Sequence, residues 1–200
     1  MPKGPVSVAA VNGQLAGSSN DAAEPSIDVS GHWVFGYGSL MWRPGFDYVE
    51  RHPARLTGAH RALCLLSHVH RGTPERPGLV LGLDLGGQCV GVAYRVEAAA
   101  WDDTLAYLRE REQTTKAYRE VHRRVQLIKH PEREVMALVY VIDRAHHQYA
   151  GTLSREEQLH LVRQGHGRSG ANRDYVLATV AELERLGIRD EELIWLAERL

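Results

Sequence analysis

Residues 79–96, LVLGLDLGGQCVGVAYRV, constrain the fold more than any other stretch: two apolar runs are split by the pair Gly86 and Gly87. The pattern predicts a β-hairpin that turns at the glycines. Immediately afterwards, AAAWDDTLAYLREREQ changes the apolar period from two to about 3.6, with Asp102 and Asp103 in the first turn, where a helix dipole favours acids. Sheet and helix therefore alternate within one short stretch of chain.

Further strands are expected at WVFGYG and RALCLLSHV, and at REVHRRVQLIK and REVMALVYVID, the last two separated by a turn at His130 and Pro131. A helix is expected to start at Ser154, whose capping partner Glu157 lies three residues on, and to run through REEQLHLVRQ. ANRDYVLATVAELERLG reads as an amphipathic helix ending at Gly187, and DEELIWLAERL as a closing one. Strands mostly precede helices, which is the α+β arrangement.

Residues 1–28 are rich in Ala, Gly, Ser, Asn and Pro without a sustained period, and read as a flexible leader. The folded unit should begin near Ile27 or Trp33, leaving 29–200 as one domain. With 24 basic and 25 acidic residues scattered along the chain, no field exists that would draw nucleic acid or an anionic membrane. Cys64 and Cys89 sit in apolar runs without C-x-x-C spacing, so they read as buried thiols of a reducing, cytoplasmic protein. Neither a targeting segment nor a membrane span is indicated.

Candidate chemistry gathers at FGYGSLMWRPG, residues 35–45. A dinucleotide loop would need a third glycine where Met41 stands, and Pro44 with Gly45 argues against the helix such a loop opens. A nucleophile elbow would need glycines where Tyr37 and Met41 stand, so Ser39 is not expected to be a nucleophile. What remains is a glycine-rich turn after a strand. Gly36 and Gly38 allow φ > 0 or close approach to a ligand, and successive N–H groups can hold an anion; an ordinary tight turn or bulge fits as well.

A second candidate is Glu112. At 100° per residue, Trp101, Leu105 and Leu108 share one side of their helix, and Glu112 falls within about 20° of Leu105, whereas Glu110 lies about 140° away. A carboxylate that continues a buried stripe is a candidate general acid/base. Alternatively the helix frays there, or Arg109 or Arg111 neutralises the charge at the surface.

Arg71 and Arg76 lie in HRGTPERPG, a polar loop between strands, able to fork onto a substrate carboxylate or to be solvated. GHGRSGANRDY is a glycine-rich approach to a helix N-terminus, which favours anions but is also an ordinary way to begin a helix. His68 and His70 alternate as metal ligands on a strand face would, yet none of the 11 histidines has zinc-site spacing, and no metal is expected.

Taken in order, WVFGYGSLMW, HRGTPERPGLVLGLD with GGQCVGVAYRV, YLREREQTTKAY and GRSGANRDYV resemble the corresponding segments of the ChaC-type glutathione-specific γ-glutamylcyclotransferases. The resemblance covers the chain from about Trp33 onward and departs after Glu112, where this chain reads QTTKAY in place of a short glycine pair. It implies a small, mixed β-barrel-like sheet surrounded by helices. It further implies cyclisation of the γ-glutamyl group of glutathione to 5-oxoproline with release of Cys-Gly, a lyase reaction without metal or organic cofactor. The catalytic glutamate of the R-E pair maps to Glu112. The substrate loop maps to Val34, Phe35, Gly36, Tyr37, Gly38, Ser39 and Leu40, and Tyr118, in the segment after Glu112, is a further substrate-binding candidate, as is Arg71 from its polar loop. Two other readings stay open: a cyclotransferase for another γ-glutamyl amine or amino acid, and a non-catalytic protein that holds a γ-glutamyl ligand.

Overall fold

The computed structural model describes residues 26–112 and 116–200. Five strands close a barrel in the order β1-β3-β2-β4-β5: β1 (Ser26–Gly36), β2 (Glu50–Ser67), β3 (Gly78–Val96), β4 (Tyr118–Leu127) and β5 (His130–Ile142). Neighbours are antiparallel except where β1 lies parallel to β5, pairing Val34 with Leu138, and closes the ring. The α+β expectation and the barrel-like sheet are both met.

The Gly86–Gly87 pair does not turn the chain. β3 is one continuous strand laid along β2 from Ser67↔Gly78 to Glu50↔Arg95, and the ladder slips between Thr57↔Gln88 and Ala59↔Leu85. Gly58 on one strand faces Gly86 and Gly87 on the other, and all three take positive φ (87°, 91° and 68°). The left-handed residues are spent on a bulge that coils a long ladder instead of on a reversal. The expected turn at His130 and Pro131 also moves. Ile128 and Lys129 make it, and Pro131 sits inside β5.

Residues 1–25 of the expected leader lie outside the described residues. Ser26, Ile27 and Asp28, placed at its end from composition, are already strand, paired with Arg133, Glu134 and Val135 of β5. Backbone pairing to an existing strand edge is what composition does not report.

Alternation along β1 sends its side chains to two clusters. Trp33 and Phe35 belong to the main core with Leu56, Val92 and Ala137, while Val34 packs with Leu138, Tyr140 and Leu108 of α1 (Trp101–Glu112). Leu108 is fully buried there, a contribution of about 1.5–3 kcal/mol from its side chain alone. Trp101 stacks on His32, with ring centroids 4.8 Å apart.

The remaining helices follow their sequence signals closely. α2 (Arg155–Gln164) starts with a complete capping box: Glu157 N–H donates to Ser154 Oγ at 3.2 Å, and Ser154 N–H to Glu157 Oε2 at 2.7 Å. A small hairpin, β6 (His166–Gly167) and β7 (Gly170–Ala171), leads into α3 (Asn172–Arg185). α3 ends in a Schellman motif, with Gly187 at φ 70° and Ile188 N–H donating to Leu183 O at 2.8 Å. α4 (Glu191–Ala197) is capped by Asp190, which accepts from Leu193 N–H at 3.2 Å.

The registers place Gly36, Ser67, Gly78, Tyr118 and Ile142 at one rim of the barrel and Glu50, Val96 and Leu127 at the other. α1 starts just after Val96 and, at 12 residues and about 18 Å, carries the chain back to the first rim. Its last residue is Glu112.

Candidate active site

At that first rim a cavity of about 590 Å³ opens, lined by Tyr37–Leu40 after β1, by Arg111 and Glu112, by Arg71, Leu81 and Tyr118, and by Tyr175 of α3. This is a ligand-sized space. The strand breaks at GYGS because the chain turns into the cavity wall. Residues Ser39–Met41 form a single 3-10 turn, closed by Met41 N–H to Gly38 O at 2.9 Å, with Leu40 and Met41 buried beneath it.

Three groups hold this turn from behind. Arg61, whose side chain is only 5% exposed, donates from Nε to Tyr37 O at 2.7 Å and pairs with Asp190 at 3.2 Å. The Tyr94 hydroxyl donates to Met41 O at 2.7 Å. Arg111 reaches across from α1: Nη1 donates to Arg43 O at 2.7 Å and Nη2 to Ser39 Oγ at 2.8 Å. Ser39 Oγ is thus an acceptor bound to a guanidinium.

Neither glycine of the turn uses positive φ. A Cβ on Gly36 would lie 3.0 Å from Leu40 Cβ and 3.3 Å from Met41 N, so Gly36 serves the fold back of the turn onto its own strand. A Cβ on Gly38 would meet only Leu81 Cδ1, at 3.7 Å. Its space is the cavity's.

Glu112 and Glu110 are separated by position as helical phase predicts. Glu110 is exposed, while the Glu112 side chain is 17% exposed and lines the cavity. Burial pushes the Glu112 carboxyl above its ordinary value of 4.5, and the attraction of Arg111, whose Nε lies 3.3 Å from Oε1, opposes the shift without cancelling it. Arg109 is occupied elsewhere, in a two-pronged pair with Glu120 at 2.8 and 3.0 Å. Both alternatives from the sequence thus hold in part: an arginine is beside Glu112, and the carboxylate is nevertheless enclosed.

Tyr118 donates to Leu81 O at 2.7 Å, and Tyr175 accepts from Leu81 N–H at 3.2 Å, so two phenols hold the two successive peptide groups on either side of the Leu81 Cα. Burial raises the phenol of Tyr118, and likewise that of Tyr37, well above the usual range; Tyr175 is pushed up to about 12. All three stay protonated and neutral around Glu112. Arg71 also lines the cavity, its Nη1 donating to Ser169 O at 2.6 Å.

Of the sequence-derived set, Tyr37, Gly38, Ser39, Leu40, Arg71, Glu112 and Tyr118 meet at this cavity. Val34, Phe35 and Gly36 do not line it. Val34 and Phe35 are fully buried strand residues that pack on opposite faces of β1. Arg111 and Tyr175 are site residues that sequence reasoning did not select; the only local hint for Arg111 was its adjacency to Glu112. His68 and His70 lie beyond the end of β2, so they do not share a strand face. Among the described residues no cluster of three or more His, Cys, Asp or Glu is arranged to hold a metal ion, and no helix is long and apolar enough to cross a membrane. Residues 113–115, in the segment where the resemblance departs, lie outside the described residues.

The family model described as ChaC-like protein matches residues 32–200. A glutathione-specific γ-glutamylcyclotransferase of Escherichia coli (strain K12) is 36% identical over 161 residues, covering 80% of this chain and 69% of the relative. The Homo sapiens glutathione-specific γ-glutamylcyclotransferase 1 is 32% identical over 165 residues, covering 80% and 74%. A crystal structure of the glutathione-specific γ-glutamyl cyclotransferase from yeast superposes with a TM-score of 0.73 at 25% identity, over 84% of this chain and 97% of that one.

Proposed function

The chain belongs to the ChaC-like family, and from that premise we propose that it is a glutathione-specific γ-glutamylcyclotransferase, converting glutathione to 5-oxoproline and Cys-Gly. The observation that carries this reading is Glu112: an enclosed carboxyl raised by burial, lining a ligand-sized cavity together with the backbone turn at Tyr37–Leu40.

In the proposed reaction the α-amine of the γ-glutamyl group attacks its own γ-carbonyl carbon. A C–N bond forms to close the five-membered lactam, and the amide C–N bond to cysteine breaks. Nucleophile and electrophile belong to one molecule, so the protein's main task is to fold the glutamyl arm and hold it near attack distance. Glu112, ionised, takes the proton the amine must lose and returns it to the departing amine of Cys-Gly. One carboxyl serves both transfers, and a value raised toward neutrality suits a group that must both accept and donate.

Backbone N–H groups around Tyr37, Gly38 and Ser39 would receive the γ-glutamyl group and the developing oxyanion. Leu40 and Tyr118 would complete the enclosure, and Arg71 supplies a positive charge. No step calls on a metal or an organic cofactor. Two free, buried thiols at Cys64 and Cys89 support a reducing, cytoplasmic setting.

The test is 5-oxoproline release by wild type and by Glu112→Gln from glutathione, γ-glutamyl-alanine and γ-glutamyl-lysine. Release confined to glutathione and lost in the variant supports the proposal. Equal turnover of all three would move the assignment to a general γ-glutamyl cyclotransferase, and binding without release to a non-catalytic holder.

A further inference from the structure

The cavity is chemically two-sided. Glu112, the GYGS turn and Leu81 with the two phenols on its backbone lie on its enclosed side. The rim beyond Tyr175 is built from other elements, the loop after β2 and the β6–β7 hairpin. There Arg71 Nη1 donates to Ser169 O at 2.6 Å and Ala171 O at 3.3 Å, and its guanidinium carbon lies 5.4 Å from the Tyr175 ring centroid. Both oxygens are neutral carbonyls, so they fix the group without cancelling its charge. Beside it, His70 Nδ1 and Ser169 Oγ are 3.0 Å apart, and both residues are exposed where they line the cavity.

A guanidinium held by one nitrogen on backbone carbonyls and set over a ring keeps a planar, pre-oriented edge for an anion. The γ-glutamyl head of the substrate is committed to the enclosed side, because its amine must reach Glu112. The chain leaving the scissile amide must therefore run outward. Two residues in extended form span about 7 Å, so the carboxylate of a dipeptide leaving group extends away from the scissile amide along a cavity whose lining includes Arg71, His70 and Ser169.

We infer that Arg71, with His70 and Ser169 beside it, forms a subsite for a free carboxylate two residues beyond the scissile amide. The substrate class it selects is γ-glutamyl peptides that end in such a carboxylate. The subsite rests on the cyclotransferase reading above and assigns the specificity within it.

The experiment uses Glu112→Gln protein, which binds without turning over, and compares glutathione with its C-terminal amide by calorimetry. The expected result is that glutathione binds roughly tenfold or more tightly than the amide, the scale of a charge-assisted hydrogen-bonded pair. Adding Arg71→Gln should abolish the difference by weakening glutathione alone, with Arg71→Lys intermediate.

Equal binding of acid and amide to the Arg71-containing protein overturns the subsite, and that arm needs no further variant to fold. Equal weakening of both ligands by Arg71→Gln overturns it too, since Arg71 would then hold the γ-glutamyl head. A wild-type protein that prefers the acid but releases no 5-oxoproline leaves the subsite standing and rejects the reaction.

Discussion

Arg111 and Ser39, 72 positions apart in the chain, are joined by a 2.8 Å hydrogen bond from Nη2 to Oγ, and the same guanidinium lies 3.3 Å from Glu112 through Nε. One side chain thus braces the turn that forms one wall of the cavity and bears on the charge of the group facing it. Arg111→Met removes the attraction that favours the ionised carboxylate. The acid limb of the kcat/KM profile for 5-oxoproline release should then move to higher pH. Arg111→Lys, which keeps the charge but not the fork onto Ser39 and Arg43, should leave the limb nearer its place and raise KM. A simple loss of folded protein would not separate the two variants in this way.

Glu112→Gln should lower kcat at least about 100-fold, the scale of a lost general base. Its effect on stability has the opposite sign. The folded protein holds a proton on Glu112 more tightly than the unfolded chain does, so stability falls as pH rises from the ordinary glutamate value of 4.5 through the raised one. Below that window both states are protonated and the residue is neutral in effect. The variant should therefore melt above wild type at pH 7 and level with it at pH 3.

The two glycines of the turn should fail in different ways. Gly36→Ala drives a Cβ to 3.0 Å from Leu40 Cβ and should cost about 1–3 kcal/mol of stability, measurable in chemical denaturation. Gly38→Val meets little of the protein itself and should keep the fold while abolishing turnover, because its side chain takes up space in the cavity. A Gly38→Val enzyme with normal kcat/KM would show that no ligand approaches that backbone.

Gly86 tests the bulge. A Cβ there meets nothing within 4 Å, so Gly86→Ala isolates the cost of φ 91°, about 1 kcal/mol or more. For a domain of this size the melting temperature should fall by roughly 2–4 °C. Gly86 is not among the residues lining the cavity, and kcat/KM should not change.

Legibility in the sequence followed the range of the interactions. Ser154 and Glu157 satisfy each other within one turn, and Glu112 is aimed by the phase of its own helix, so both could be read locally. The glycine pair misled because a hairpin and a bulge ask for the same positive φ, and only the partner strand, with Gly58 opposite, decides between them. The first part of β2, ERHPARLTGAH, lies ahead of the strand expected at RALCLLSHV. Its charged, proline-bearing pattern looks like a loop, and the burial of Arg61, at the start of the expected strand, depends on Tyr37 O, Val90 O and Asp190, which receive its guanidinium. The sequence offers Arg111 only as a neighbour that could neutralise Glu112, and Tyr175 not at all, since what makes each a site residue is a contact made far along the chain.

The parallel seam between β1 and β5 has a consequence for how the cavity is encoded. Because that seam completes the ring, one end of each of the five strands arrives at one rim, and α1 delivers its terminal carboxylate there from the far side. The site is written around a circumference and not along a thread. Segments at that rim shape what is bound, while the two-residue turn at Ile128 and Lys129 on the opposite rim contributes no residue to the cavity wall.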